Sequence, residues 1–316
     1  REYNEEPVLK TMLPATWLNA RRRTIIVFYR NKEKNTLERL AVARYNIGKS
    51  IKSAWDKEKE PNQWVALAEM IRERNPKKIG INFSKHFPLA DGLVKTDYDE
   101  LKENLPEELG SKLVSAEKLA IAWIETRTKK ELELFRELVK ITHDIIDEAF
   151  SEEVIVPGVT STDDVVWFLR QKVTSLGLET WFHPTIDVQR NKEVLKSHIE
   201  SFSKGKEEQI IQKGDLLHCD FGITYVGLNT DCQQHAYVLK DDEKQVPQFL
   251  KDAFKKGNRL RDILTSSMKY GKTGNQILSE SLSQAKEEGL KPSIYTHPLG
   301  KYGHSAGPTI GMWDSQ

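Results

Sequence analysis

Cysteine is nearly missing from this chain: the 316 residues hold only Cys219 and Cys232, too few for a disulfide framework. Long apolar runs are missing too. Thr24-Ile-Ile-Val-Phe-Tyr29 is strand-sized, and nothing approaches the ~20 residues that cross a bilayer. The start carries no apolar leader and opens on Arg1 rather than Met. The expectation is therefore a trimmed or processed start, which leaves the compartment open, export included. An excess of one charge is also lacking. Lys and Arg number 48 against 47 Asp and Glu, a net +1, which gives no electrostatic basis for nucleic acid as a main partner. The brief basic run Arg21-Arg22-Arg23 reads as a solvated edge before an apolar strand. Solenoid-period repeats and low-complexity segments are absent. What remains is a chain long enough for two domains with cores that need no staples.

Residues 1 to about 117 read as an α/β module. Thr24–Arg30 and Arg39–Tyr45 are β-rich runs around the charged turn Asn31-Lys-Glu-Lys-Asn35, a hairpin pattern. Pro61–Arg74 carries helix formers and an apolar stripe, and Lys78–Phe83 reads as a buried strand. Strand, helix, strand in this order predicts a crossover unit. A second module opens near Glu117. Leu134, Leu138, Ile141, Ile145 and Ala149 fall at spacings of four, three, four and four, one stripe of a helix from about Thr128 to Phe150. Val156-Pro157-Gly158 marks a turn. Ser161-x-x-Asp164 forms a capping box that opens a helix to about Ser175. Strands are expected at Trp181–Gln189, Asp215–Phe221 and Asn229–Leu239, and helices at Val246–Tyr270 and Asn275–Glu288. The fold class is α/β (α+β) in two domains, 1–117 and 118–316.

Asp215-Leu-Leu-His-Cys-Asp-Phe-Gly222 is followed by eight residues and then Asp231. Paired antiparallel about a turn at Tyr225–Gly227, these strands set Asp220 across from Asp231 and His218 across from Gln233. Cys219 then faces Cys232 on the reverse side. Two carboxylates ~5 Å apart repel each other and are not naturally buried in a strand; a cation between them removes both objections. A plain surface hairpin is the alternative, opposed by the burial that Leu216, Leu217, Phe221, Ala236 and Val238 signal. A one-residue slip would break the pairing. The two thiols are either a cross-strand disulfide or buried free cysteines.

Gly214-Asp-Leu-Leu-His-Cys-Asp-Phe-Gly222, with Tyr225, Gly227 and Asp231, resembles the G-D-x-x-x-x-D-x-G…Y-x-G…D of the pita-bread metallopeptidases: methionine aminopeptidase, aminopeptidase P, prolidase and creatinase. Ile155-Val-Pro-Gly-Val-Thr160 is similar to that family's P-G-x-T helix start, and Glu125–Glu133 to the approach to its first long helix. His297-Pro-Leu-Gly300 followed by His304 has the spacing of its H-x-x-G-x-x-x-H. Pro298 and Gly300 exclude a regular helix there, leaving an irregular strand or loop that presents a residue into a cleft. The resemblance covers most of residues 117–316. The smaller module before it fits aminopeptidase P, prolidase and creatinase, and so favours the two-domain Xaa-Pro peptidase branch over methionine aminopeptidase.

The resemblance implies a pita-bread catalytic domain behind a smaller α/β domain. It also implies hydrolysis of N-terminal or dipeptide Xaa-Pro bonds by a hydroxide bridging two divalent metal ions (Mn, Co, Fe or Zn). It makes Asp220, Asp231 and His297 metal ligands and places His304 and His198 on the substrate side. His198 follows Asn191 two or three residues later than the family spacing. His183 is expected to serve packing or an edge, and the Trp residues packing, with Trp313 near the cleft. The implied partner is a peptide, with neither nucleic acid nor membrane; dimers are common among such relatives. Two glutamate ligands of the family fall beyond Gln316, so this chain is expected to hold metal poorly. Gln233-Gln234 replaces the family's Thr-Arg, Ser305 its acidic residue, and Gly307–Gln316 is atypical. These departures imply a divergent subgroup with a different substrate-facing loop. Two other readings use the same fold: a non-catalytic peptide-binding module, and a metal-free creatinase-like amidinohydrolase. A pseudo-enzyme tends to lose its ligands, and here Asp220, Asp231 and His297 all stand.

Overall fold

The computed structural model describes residues 7–13, 23–190, 209–305, 307 and 309–311. The chain divides into two units, Arg1–Thr126 and Arg127–Gln316.

In the first unit, helix α1 (Pro7–Met12) precedes the antiparallel hairpin of β1 (Ile25–Asn31) and β2 (Thr36–Val42). β3 (Lys52–Ser53) pairs parallel to the other edge of β2. Helix α2 (Gln63–Arg74) starts at Asn62, whose side chain accepts from the Trp64 and Val65 amides, and buries Trp64, Leu67, Ala68 and Ile71 in a core shared with Val42 and Leu101. β4 (Ile79–Ile81) pairs in parallel with β5 (Leu113–Ser115). The crossover between them is made by α3 (Lys95–Asn104) and α4 (Glu107–Gly110). The crossover expected through α2 is thus displaced by one step. β2 is flanked by β1 and β3 and has no free edge for β4. Helix α5 (Glu117–Glu125) lies against α1, and Glu117 accepts from Ser84 Oγ at 2.7 Å. Both α5 and Glu117 thus belong to the first compact unit, which runs to Thr126.

The second unit opens with α6 (Lys129–Ala149), capped by a reciprocal Thr128–Glu131 box, and α7 (Thr162–Ser175), capped by Ser161 and Asp164 in the same way. Both boxes satisfy amides that a helix start leaves without partners. The helices cover one face of an antiparallel sheet of order β11-β8-β7, made of β7 (Thr185–Gln189), β8 (Leu216–Phe221) and β11 (Cys232–Tyr237). A neighbouring sheet pairs β6 (Glu179–Thr180), β9 (Ile223–Tyr225) and β10 (Leu228–Asn229). Strand alternation sorts β8 into two sets. Leu217, Cys219 and Phe221 are fully buried with Leu138, Ile145, Val165 and Leu169, whereas Leu216, His218 and Asp220 sit half-buried on the opposite face. Each large side chain on the buried face contributes roughly 1.5–3 kcal/mol, so the apolar row anchors the polar one.

Asp215, just before β8, has structural work to do. It is 1% exposed and accepts from Arg190 Nε at 2.9 Å and from the Gln212 amide at 2.7 Å. Helices α8 (Gln248–Ser267) and α9 (Gly274–Glu287) follow, then four two-residue strands: β12 (Tyr295–Thr296), β13 (Leu299–Gly300), β14 (Gly303–His304) and β15 (Ile310–Gly311). Ile277, Ile294 and Ile310 form a separate small core there. Among the described residues no helix is long and apolar enough to cross a membrane.

Candidate metal centre

The hairpin that carries the two aspartates turns on Val226 (φ 51) and Gly227 (φ 74), closed by the Tyr225–Leu228 pair. Two positive-φ residues make the tight two-residue loop that matches strand twist. The expected register is therefore corrected by two residues. Asp220 lies across from Gln233 on one side and Thr185 on the other, and not across from Asp231. His218 lies across from His235 rather than Gln233. Because the offset is even, every side chain keeps its expected face. Cys219 pairs with Gln234 and Cys232 with Phe221, and both thiols are free and buried. Burial pushes the Cys232 thiol up to about 11 and raises that of Cys219 as well.

Asp231 occupies a break in the expected strand Asn229–Leu239, between β10 and β11. The pairs on either side of the break, Asn229 with Thr224 and Cys232 with Phe221, put Gly222 across from it. At the break Thr230 substitutes for the ladder: its hydroxyl accepts from the Ile223 amide at 3.0 Å, and its own amide donates to Ile223 O at 2.9 Å. A Cβ on Gly222 would stand 2.0 Å from Thr230 O, so the motif glycine is required by space. The expected strand Trp181–Gln189 is also interrupted. Only Glu179–Thr180 and Thr185–Gln189 are strand, because Pro184 has no N–H to give a ladder. Freed from the strand, Trp181 turns toward the break and its Nε1 donates to Thr230 O at 2.6 Å.

The two histidines come from the β13–β14 hairpin region, an irregular strand as Pro298 and Gly300 required. Leu299 pairs with His304. Asn229 Nδ2 donates to Gly300 O at 2.7 Å and Lys301 pairs with Glu131 at 3.2 Å, which ties the hairpin to β10 and to the start of α6. Gly303 has φ 69, and a Cβ there would meet the Trp181 ring at 2.2 Å. The result brings Asp231, His297 and His304 together, each offering a ligand atom within 4.8 Å of the others. His297 Nε2 is 3.4 Å from Asp231 Oδ2, and the two imidazole centroids are 4.0 Å apart. Asp231 and His297 are half-buried; His304 is exposed. Asp220 stands outside this trio, with a buried Oδ1, and its charge favours protonation of His297. His198, with Asn191, lies outside the described residues, as does Trp313.

The donor set fits a divalent cation. His297 Nδ1 donates to Pro298 O at 3.1 Å, which leaves Nε2 facing Asp231. Ligating histidines are oriented in this way, with the second nitrogen on a backbone carbonyl. Hydrogen bonding to Asp231 raises the His297 pKa against the opposing effect of burial, so the pair favours a positive charge between them. Burial and the neighbouring His297 lower that of His304, which favours the neutral ring. One carboxylate with two imidazoles suits first-row divalent ions.

Sequence reasoning passed over two features. Trp181 was expected only to pack; a half-buried indole N–H that needs an acceptor was the available signal. The second is a polar row beside Asp220. His218 Nδ1 donates to Asp187 at 3.4 Å and Nε2 to Gln233 at 3.0 Å, and its ring centroid is 4.9 Å from that of His235. Burial lowers the His218 pKa, but Asp187 and Gln233 outweigh it and the net shift is upward. His183 is exposed and accepts from Arg170 at 3.0 Å, remote in role from the trio.

The profile of metallopeptidase family M24 matches residues 133–315. The chain belongs to that family, the pita-bread metallopeptidases, and its second unit carries the family's motifs. The fold is similar to that of an X-Pro aminopeptidase from Thermotoga maritima, at 12% identity and TM-score 0.63 over 98% of this chain and 81% of that one. An Xaa-Pro dipeptidase from Bacillus anthracis is similar at 18% identity and TM-score 0.54, over 93% and 77%. A Zn-substituted E. coli aminopeptidase P in complex with product is similar at 12% identity and TM-score 0.56, over 92% and 72%. At such identities the likeness shows the fold alone: a pita-bread domain behind a smaller α/β domain, in a divergent member. No curated protein sequence matches the chain.

Proposed function

We propose that this chain belongs to a metal-dependent peptidase acting on Xaa-Pro bonds, with unit 1 as the smaller N-terminal domain of that branch. The observation that carries the reading is the convergence of Asp231, His297 and His304 on one point, from motifs 66 residues apart at their nearest. The named activities of the structurally similar proteins, an X-Pro aminopeptidase and an Xaa-Pro dipeptidase, supply the substrate class. In this reading Asp231 and His297 hold a divalent cation, and Asp220 adds negative charge from the adjoining strand. A bound cation supplies Lewis acidity and a water of lowered pKa.

The remaining chemistry is assigned to the chain's own groups. His304 is the exposed member of the trio and favours the neutral ring, so it offers the substrate a hydrogen bond. The same role is proposed for His198. Pro298 O keeps the Nε2 of His297 toward Asp231. Asn229 and Lys301 hold the histidine hairpin in place, so that alignment costs little when substrate arrives. The test is hydrolysis of Gly-Pro and Ala-Pro-Pro by full-length protein, with metal content measured in parallel. Turnover that disappears in Asp231→Asn and His297→Ala supports the reading. Bound metal without turnover favours a peptide-binding module, and turnover without metal a creatinase-like hydrolase.

A further inference from the structure

Trp181 touches three separate segments at the trio. Its indole Nε1 donates 2.6 Å to the carbonyl of Thr230, the residue before Asp231. Its ring sits where a side chain on Gly303 would otherwise be, the would-be Cβ standing 2.2 Å from two ring carbons. The same ring meets the His304 imidazole edge-on, with centroids 5.4 Å apart, and Phe182 at 4.6 Å. Gly222 completes the arrangement from below: a Cβ there would lie 2.5 Å from Trp181 Nε1. Two glycines, one from each motif, thus leave room for one indole.

Simple core packing does not account for this placement. The fully buried core of the unit runs on the other face of the sheet, through Leu217, Phe221, Leu169 and Ile146. Trp181 is half-buried and bridges the Asp231 segment to the His304 hairpin directly. The hydrogen bond sets where the backbone before Asp231 lies, and the ring sets how closely His304 approaches it. Phe could fill the ring's space but has no N–H to give Thr230 O.

We propose that Trp181 is a positioning residue: through Thr230 O it places the Asp231 ligand of the cation site, and through its ring it sets how closely His304 stands beside that site. This rests on the proposed metal-peptidase reading. The test uses Co²⁺ as the probe on full-length protein, comparing wild type, Trp181→Phe and Trp181→Leu by titration, d–d absorption spectrum and thermal unfolding. Trp181→Phe should weaken Co²⁺ binding by about tenfold and change the absorption envelope, while kcat falls with KM nearly unchanged. Trp181→Leu should weaken binding further. If Trp181→Phe only lowers the unfolding temperature, and keeps the wild-type Co²⁺ affinity and spectrum, the role is structural and the proposal falls. If wild type itself binds no Co²⁺, the metal reading fails and the proposal with it.

Discussion

Gly222 and Gly227 lie five residues apart in the same hairpin, and alanine at each should fail for a different reason. Gly222 has ordinary backbone dihedrals, but a Cβ would sit 2.0 Å from Thr230 O and 2.5 Å from Trp181 Nε1. The first obstacle is backbone, so relief must come from moving the segment that holds Asp231. Overpacking of this kind costs about 1–3 kcal/mol. The Trp181–Thr230 hydrogen bond, worth about 1 kcal/mol net, is lost with it, giving about 2–4 kcal/mol in all. Gly227 is the reverse case: φ is +74 and nothing lies within 4 Å of its would-be Cβ. Only the left-handed backbone is penalised there, at about 1 kcal/mol. Urea unfolding of each variant measures the difference. For a slope of about 2–3 kcal/mol/M, Gly222→Ala should lower the second unit's midpoint by about 1 M, and Gly227→Ala by less than half of that. The chain has two units, so each transition is fitted separately. Equal shifts in the two variants, or a neutral Gly222→Ala, would refute the steric account of the break at Asp231.

Other outcomes follow from the same contacts. Cys219 and Cys232 are buried and their thiols are raised, Cys232 to about 11; both should resist a thiol reagent at pH 8 in the native protein and react after denaturation. Fast native labelling would contradict their burial. Asp215→Ala leaves the Gln212 amide and Arg190 without their carboxylate and should cost about 2–3 kcal/mol of stability, measured by thermal or urea unfolding; a neutral result would deny Asp215 its structural role. The upward shift of His218 sets a sign for pH. A raised histidine adds stability that is complete below its ordinary value near 6.5 and is lost as pH rises through the folded value. Asp187→Asn should therefore lower stability more at pH 5.5 than at pH 9, and the opposite trend would show that Asp187 does not stabilise the charged ring.

Much of the fold is written in local rules. The helices at Lys129–Ala149 and Thr162–Ser175 announce themselves by stripe and capping box, because both signals lie within a few residues of each other. The sheet faces were legible from alternation as well. Register was not, because it depends on the dihedrals of Val226 and Gly227, and a Val at φ 51 has no sequence signature. The break at Thr230-Asp231 was hidden for a related reason: it is forced by Gly222 and Trp181, 8 and 49 residues away from Thr230. Pro298 and Gly300 pointed to an irregular strand or loop around His297 and His304, whereas the contact of His304 with Trp181 depends on two glycines from distant segments, Gly222 and Gly303. The crossover in the first unit depended on which edge of β2 was already taken, a fact of topology rather than of residue pattern.

The most direct test of the metal assignment is a crystal structure of the full-length protein grown with Mn²⁺, with anomalous scattering measured at the metal edge. A peak is expected between Asp231 and His297, about 2.0–2.3 Å from Asp231 Oδ and His297 Nε2, with His304 facing the open side. A peak on His218 and Asp187, or no peak at the trio in protein that still hydrolyses Xaa-Pro peptides, would contradict that assignment.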